Sequence, residues 1–376
     1  MEQSKPAESR EIFLVIALIF SMVFILAASK REEKAVSAAL LLGIKEEPAA
    51  KINSSRGLSA RYLVPGGHTT GIKIFMDGVM VVGFTKVGSS QSPALEAGLR
   101  EGDMIKSVNG AKVETLEMLA NIVSEGGGEA MAITAERDSE TISLTVYPAL
   151  DEYDGLFKIG AWVRDSMAGI GTITFYDPES GIYGALGHGI NDVDTGRLLP
   201  LRSGSLMGST VASVKKGAVG NPGELRGEFD LAKDSGSLEI NSGSGIFGRM
   251  YDDSAYRDAE PVKVVLREEV KLGSATILSN IEGDQVEEIS VEIVKIYDGN
   301  KGSRDMMIRI TEENPRVLKI TGGIVQGMSG SPILQNGKLI GSLTHVTIND
   351  PRRGYAVFID RMLDEAAMID VQKAVA

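Results

Sequence analysis

The chain has 376 residues, a net charge of −12, 43% apolar and 24% charged residues, and no cysteine. That length allows roughly two folded domains. The missing cysteines exclude disulfides, thiolate metal sites and a cysteine nucleophile, while the acidic balance and 5% aromatic content disfavour phosphate-backbone and base-stacking surfaces, so no nucleic-acid partner is expected.

The first element in chain order is an uncharged apolar run at residues 12–28, "IFLVIALIFSMVFILAA". Its length is near the lower limit for a spanning helix and long for the core of a secretory signal. It is read as a transmembrane anchor or signal after a cytoplasmic tail, 1–11. The small residues Ala27, Ala28 and Ser29 keep cleavage open. The bulk of the chain is expected outside the cytoplasm, although Lys30, Arg31 and Lys34 after the run do not fit the positive-inside rule. Residues 29–62 read as a linker with a short helix over 32–44, broken by Pro48 and "NSSRG".

Residues 63–149 alternate strand and helix signals. "GIKIFMDGVMVVGF" predicts two strands around an Asp77–Gly78 turn. "TLEMLANIVSE" spaces Leu116, Leu119, Ile122 and Val123 at a helical period, and "EAMAITAERDSETISLTVYPAL" predicts a hairpin. This order, and the phrase "SPALEAGLREGDMIKSVNG", resembles a bacterial PDZ domain. The resemblance implies a groove that takes a peptide as an added strand. It implies a peptide-binding segment at Gly71, Ile72, Lys73 and Ile74.

From residue 150 onward, short strands separated by glycine-containing turns predict an all-β barrel or sandwich. Near its end stands "TGGIVQGMSGSPILQNGKLIGSLTHV", residues 321–346. The small residues of Gly327-Met328-Ser329-Gly330-Ser331-Pro332 allow a sharp turn and close backbone approach. Ser329 in that turn can act as a nucleophile, with the N–H groups of Gly327 and Ser329 as an oxyanion hole. Asn336–Gly337 then predicts a type I′ hairpin. A serine nucleophile needs a base. The three histidines are His68, His188 and His345. His188, in "GALGHGI", is the candidate, because it precedes the serine as in a chymotrypsin-like arrangement. His68 and His345 read as structural or surface residues. Asp192, Asp194, Glu312 and Glu313 are open as partners of the base.

The stretches "IGAWVRDSMAGIGTITFYDPESGIYGALGHGI", "SGIFG", "TGGIVQGMSGSPILQNGKLIGSLTHV" and "NDPRRGYAVFID" resemble one family, the stage IV sporulation protein B (SpoIVB) peptidases, peptidase family S55. The resemblance covers about 12–365 and includes the order anchor, PDZ domain, peptidase. It implies a mainly β fold: a transmembrane helix, an α+β PDZ domain at 63–149, and a chymotrypsin-like double β-barrel at 150–376. His188 and Ser329 fall on the family's base and nucleophile. The family's third residue, an aspartate before proline, is Asn314 here. An asparagine accepts a hydrogen bond but does not neutralise an imidazolium, and a comparable change in a known triad costs about ten-thousand-fold.

The family's role is signalling between compartments during sporulation, from a forespore-derived intermembrane space. A membrane-anchored, self-processing serine endopeptidase cleaves the extracellular part of a membrane regulator of an intramembrane metalloprotease, and a sigma-factor precursor is then processed. The implied partners are that protein substrate, the chain's own N-terminal region and the membrane. Acyl transfer by serine needs no metal or organic cofactor, and none is expected. Two other readings stand beside this one: a catalytically inactive PDZ adaptor at the membrane, and a general envelope quality-control protease.

Overall fold

The computed structural model of the chain describes residues 61–299 and 302–375. The expected tail, the anchor at 12–28 and nearly all of the 29–62 linker lie outside the described residues. Among the described residues, no helix is long and apolar enough to cross a membrane. The described chain lies within one compact unit and is mainly β.

Two sixteen-residue strands, Thr69–Phe84 and Ala161–Tyr176, organise it. They run antiparallel from Thr69↔Thr172 to Phe84↔Ala161. The Phe84 end belongs to the PDZ sheet, where Val79 and Met80 pair with Ile105 and Met104, and Met131–Arg137 and Glu140–Val146 follow. The Thr69 end belongs to the peptidase sheet. Each strand therefore runs through both parts of the sheet, and Ala161–Arg164, which follows the boundary expected at 149, pairs with the PDZ strand.

The turn expected at Asp77–Gly78 is not a hairpin. The chain continues in one direction, and the register against Ala161–Tyr176 jumps between Phe75↔Ser166 and Met80↔Arg164. Both flanks find the same partner strand, so the residues between them bulge out. Gly78 takes φ 120 there, and Lys106 Nζ donates to the Asp77 carbonyl and carboxylate at 2.5 and 2.9 Å.

The expected PDZ helix spans Leu116–Glu125. Thr115 caps it, its hydroxyl accepting from Met118 N at 3.2 Å. Leu119 and Val123, one turn apart, bury on Ile105, Val108 and Ile133. Both expected hairpins beyond it form, with left-handed turns at Asp138–Ser139 and at Asn336–Gly337.

The C-terminal half closes into a six-stranded barrel of Gly273–Asn280, Val286–Ile296, Met306–Ile310, Asp350–Phe358, Lys338–Thr347 and Pro332–Gln335. Alternate residues Ile289, Val291 and Ile293 point inward and are buried, as a period of two requires. The other protease-like strands, including Ile182–Ala185 and Gly245–Arg249, remain hydrogen-bonded into one sheet with the PDZ strands. Asn280 ties this sheet to the closed barrel. Its side chain accepts from Thr69 N at 2.7 Å and donates to Thr69 Oγ at 3.1 Å.

Candidate active site

The Gly327–Ser331 turn sits between the Pro315–Thr321 helix and the Pro332–Gln335 strand. The strand Ala161–Tyr176 pins it. Thr172 donates its N–H to the Ser329 carbonyl at 2.9 Å and its hydroxyl to the Gly327 carbonyl at 2.8 Å, and Thr174 donates its hydroxyl to the Gly330 carbonyl at 2.8 Å. Glycine is obligatory at 330. Its φ is 103, and a Cβ there would meet the Thr172 carbonyl oxygen at 1.9 Å.

These bonds leave two N–H groups free. The peptide plane carrying Gly327 N is held through the Gln326 carbonyl, which accepts from Leu225 N at 2.8 Å. The plane carrying Ser329 N is held through the Met328 carbonyl, which accepts from Ser331 N at 3.0 Å. Neither Gly327 N nor Ser329 N donates to another protein group among the described residues. Two fixed, unpartnered donors flanking a serine are what an oxyanion hole requires. Of the two serines in the turn, Ser331 is fully buried, its hydroxyl without a partner. Ser329 lines a cavity of about 580 Å³.

His188 lines the same cavity. The strand Ile182–Ala185 ends in two left-handed residues, Leu186 and Gly187, both at φ 68, and they turn His188 into the cleft. Leucine is an unusual residue in that conformation. His188 Nδ1 lies 2.8 Å from the Gly189 carbonyl. A carbonyl only accepts, so Nδ1 carries the proton and Nε2 is left as the basic nitrogen. Burial pushes the imidazole below the ordinary histidine range, and the Gly189 carbonyl opposes this. The Ser329 hydroxyl donates to the Thr344 carbonyl at 2.5 Å. That bond has to break before the hydroxyl can reach a base, in keeping with the looser geometry of substrate-free sites.

The structure does not bring Asn314 to His188. Its amide brackets Ser290, accepting from Ser290 N at 3.0 Å and donating to Ser290 O at 2.8 Å, because Asn314 closes the turn into the Pro315–Thr321 helix beside Val286–Ile296. The open carboxylates are engaged or distant too. Asp192 is buried, paired with Arg164 and bonded to Thr195 N at 2.8 Å. Asp194 also meets Arg164, at 2.9 Å. Glu312 pairs with Arg352, and Glu313 is exposed. Among the described residues, no side chain hydrogen-bonds to His188. Its nearest ring neighbour is His345, whose centroid lies 4.5 Å away at 31°. The sequence reading set His345 aside as structural or surface, but it lines the cleft. No local signal marks it, since pairing within the barrel brings it there. His68 stacks edge-on to Tyr256 at 5.3 Å and does not line the cleft.

The peptide-binding segment expected at Gly71–Ile74 also needs correction. Those residues pair with Met167–Ile170 on one side and with Gly204–Met207 on the other. With both edges hydrogen-bonded, no strand can be added there. Ile72 and Ile74 instead line the cleft that holds Ser329 and His188. Among the described residues, the free edge is at Ala161–Arg164, which pairs on one side only, with Met80–Phe84. It flanks an apolar groove of about 520 Å³ shared with Leu119, Ala120 and Val123 of the PDZ helix. The signal for it lies in "KIGAWV", residues 158–163, a glycine before an apolar strand. A domain boundary drawn at 149 hides it.

Comparison with known proteins gives partial relatives and one family. The chain is 36% identical over 96 residues to a putative zinc metalloprotease, BH06270, of Bartonella henselae, covering 25% of this chain and 26% of that protein. It is 31% identical over 97 residues to the regulator of sigma-W protease RasP of Bacillus subtilis, covering 26% of this chain and 20% of that protein. The chain thus spans 26% and 20% of the length of these two curated relatives. Their zinc chemistry does not carry over: His68, His188 and His345 are followed by Thr69, Gly189 and Val346, so a His-Glu-x-x-His zinc pattern is missing. Among solved structures, the Rv3671c protease of M. tuberculosis in its inactive form matches at 16% identity and a TM-score of 0.32, covering 53% of this chain and 84% of that one. A PDZ-domain family model matches residues 85–137. The SpoIVB peptidase S55 model matches residues 155–363, more than half of the chain, and takes in both the His188 turn and the Ser329 turn: the chain belongs to the SpoIVB peptidase S55 family, a family of serine peptidases.

Proposed function

We propose that the chain is a self-processing serine endopeptidase in which Ser329 is the nucleophile, His188 the base, and Gly327 N and Ser329 N the oxyanion hole. The pair of fixed, unpartnered N–H groups beside a cleft-lining serine is the observation that carries this reading. His188 Nε2 takes the Ser329 proton as Oγ bonds to the scissile carbonyl carbon. The resulting oxyanion is held by the two N–H groups. His188 then returns the proton to the leaving amine, and water hydrolyses the acyl-enzyme by the same steps in reverse.

The cleft also indicates what is cut. Its walls are mostly aliphatic, with Ile72, Ile74, Ile170, Leu186, Val325 and Val346 among them, and among the described residues no lysine, arginine, aspartate or glutamate lines it. A charged substrate side chain would lose hydration there without a partner. The residues flanking the scissile bond are therefore uncharged and mainly apolar. In the family's setting, the substrate is the exposed part of a membrane-bound regulator in sporulation signalling. The chain's own N-terminal region is a second substrate, and the apolar run at 12–28 anchors the enzyme with its bulk outside the cytoplasm.

The test is mass spectrometry of the purified chain after incubation, wild type beside Ser329→Ala. Trimming of the wild type alone supports the assignment. If both stay intact and a fluorophosphonate probe labels neither, the Ser329 stretch is only a turn, and the PDZ groove carries the function as an adaptor.

A further inference from the structure

We infer that His345 is the positioning residue for His188, packing its ring against the base to fix the base's plane and keep water from it. This rests on the peptidase reading given above. A base in a serine peptidase needs something to hold its orientation, and here the expected Asn314 and the nearby carboxylates are bound elsewhere. What His188 does have is the Gly189 carbonyl at Nδ1 and the His345 ring at 4.5 Å. The carbonyl holds only the Nδ1 edge of the ring. The second ring, 4.5 Å away at 31°, packs beside it and restricts its tilt.

His345 is placed for this by the barrel. It follows Thr344, whose carbonyl accepts the Ser329 hydroxyl and whose own hydroxyl donates to the Ser303 carbonyl at 2.8 Å. Ser329, His188 and His345 all line the cleft. His345 Nδ1 is buried and has no hydrogen-bond partner, an arrangement that costs stability if left uncompensated. Such a cost at a cleft is a reason to look for a role. Burial, then the neighbouring His188 and Arg304, hold the His345 imidazole down to about 4, so it stands neutral beside a base that must accept a proton. Among the described residues, the charged or titratable groups facing the pair are His188 and His345 themselves and Arg304 of the adjoining loop. Asp192 and Asp194 of the next loop are paired with Arg164.

The experiment uses the full chain with His345→Ala and His345→Phe. With only three histidines, proton NMR can follow the His188 titration without reference to activity, and the rate of fluorophosphonate labelling at Ser329 is read across the same pH range. The expected result for His345→Ala is a His188 midpoint raised by about one unit as water reaches the ring, with labelling slowed about ten-fold or more at pH 7. His345→Phe, which keeps a flat ring, is expected to hold the midpoint low and most of the rate. Should His345→Ala not fold, His345→Gln is read in its place. An unchanged midpoint on loss of the ring, or a His345→Phe variant as slow as His345→Ala, overturns the proposal. A wild type that the probe never labels defeats the peptidase reading instead, while the NMR comparison still decides the role of His345.

Discussion

Thr172 donates both its backbone N–H and its hydroxyl to the turn that carries Ser329, at 2.9 Å to the Ser329 carbonyl and 2.8 Å to that of Gly327. The two segments are far apart in sequence, and these bonds fix the peptide planes that carry Met328 N and Gly330 N, on either side of the plane that carries Ser329 N. Thr172→Val keeps the shape and removes the hydroxyl, leaving the Gly327 carbonyl buried and unpaired. Stability is expected to fall by about 1–3 kcal/mol, and kcat by about ten-fold with KM little changed, since the interaction matters most once the oxyanion forms. Thr172→Ser restores both. Denaturant unfolding and steady-state kinetics on one peptide check this, and unchanged kcat in Thr172→Val would show that the turn holds itself.

Asn314→Asp separates two accounts of the third residue. If Asn314 orients His188, restoring a carboxylate raises the rate by orders of magnitude, up to about ten-thousand-fold. The observed bracket on Ser290 predicts otherwise. An aspartate cannot donate to the Ser290 carbonyl, now 2.8 Å from the Asn314 amide nitrogen, and places a negative oxygen against it. The expected outcome is no gain in kcat and a stability loss of about 1–3 kcal/mol.

The pH dependence follows from the two depressed histidines of the cleft. His188 is held below its ordinary value by burial, so kcat/KM should stay high as pH falls past about 6.5 and decline only below it. For His345 the folded value of about 4 lies below the unfolded one. The unfolded chain therefore binds the extra proton first. Its contribution to stability is fully present above about pH 6.5 and is lost as pH falls towards 4. An acid limb of kcat/KM above 6.5, or stability that rises on acidification through this window, would contradict the burial of both rings.

The open strand edge makes its own optical probe. Trp162, the single tryptophan of the chain, is 63% exposed and lines the groove beside Leu119 and Ala120. A peptide added along Ala161–Arg164 should cover it and shift its fluorescence to the blue with saturation. Ser329→Ala protein prevents cleavage during the titration. Ala120→Glu, which puts a charge into the groove, should weaken binding ten-fold or more. A saturable signal indifferent to Ala120→Glu would place the peptide elsewhere.

Local chemistry determined much of this protein. The Asn336–Gly337 turn, the Leu116–Glu125 helix and the 131–146 hairpin follow from turn residues and periodicity, and each forms as expected. The glycine-flanked Ser329 turn and the upstream His188 identify themselves because a tight approach needs glycine and a serine needs a base. What lies across strands was settled only by pairing. Gly71–Ile74 looks like a binding edge in one dimension, and loses that role when both of its sides are hydrogen-bonded. Asp77–Gly78 looks like a hairpin, and becomes a bulge because Ala161–Tyr176 pairs with both flanks. His345 and Asn314 exchange their expected places for the same reason. A strand's neighbours are chosen by long-range register, which no window of sequence contains, and register decides which side chains share the cleft.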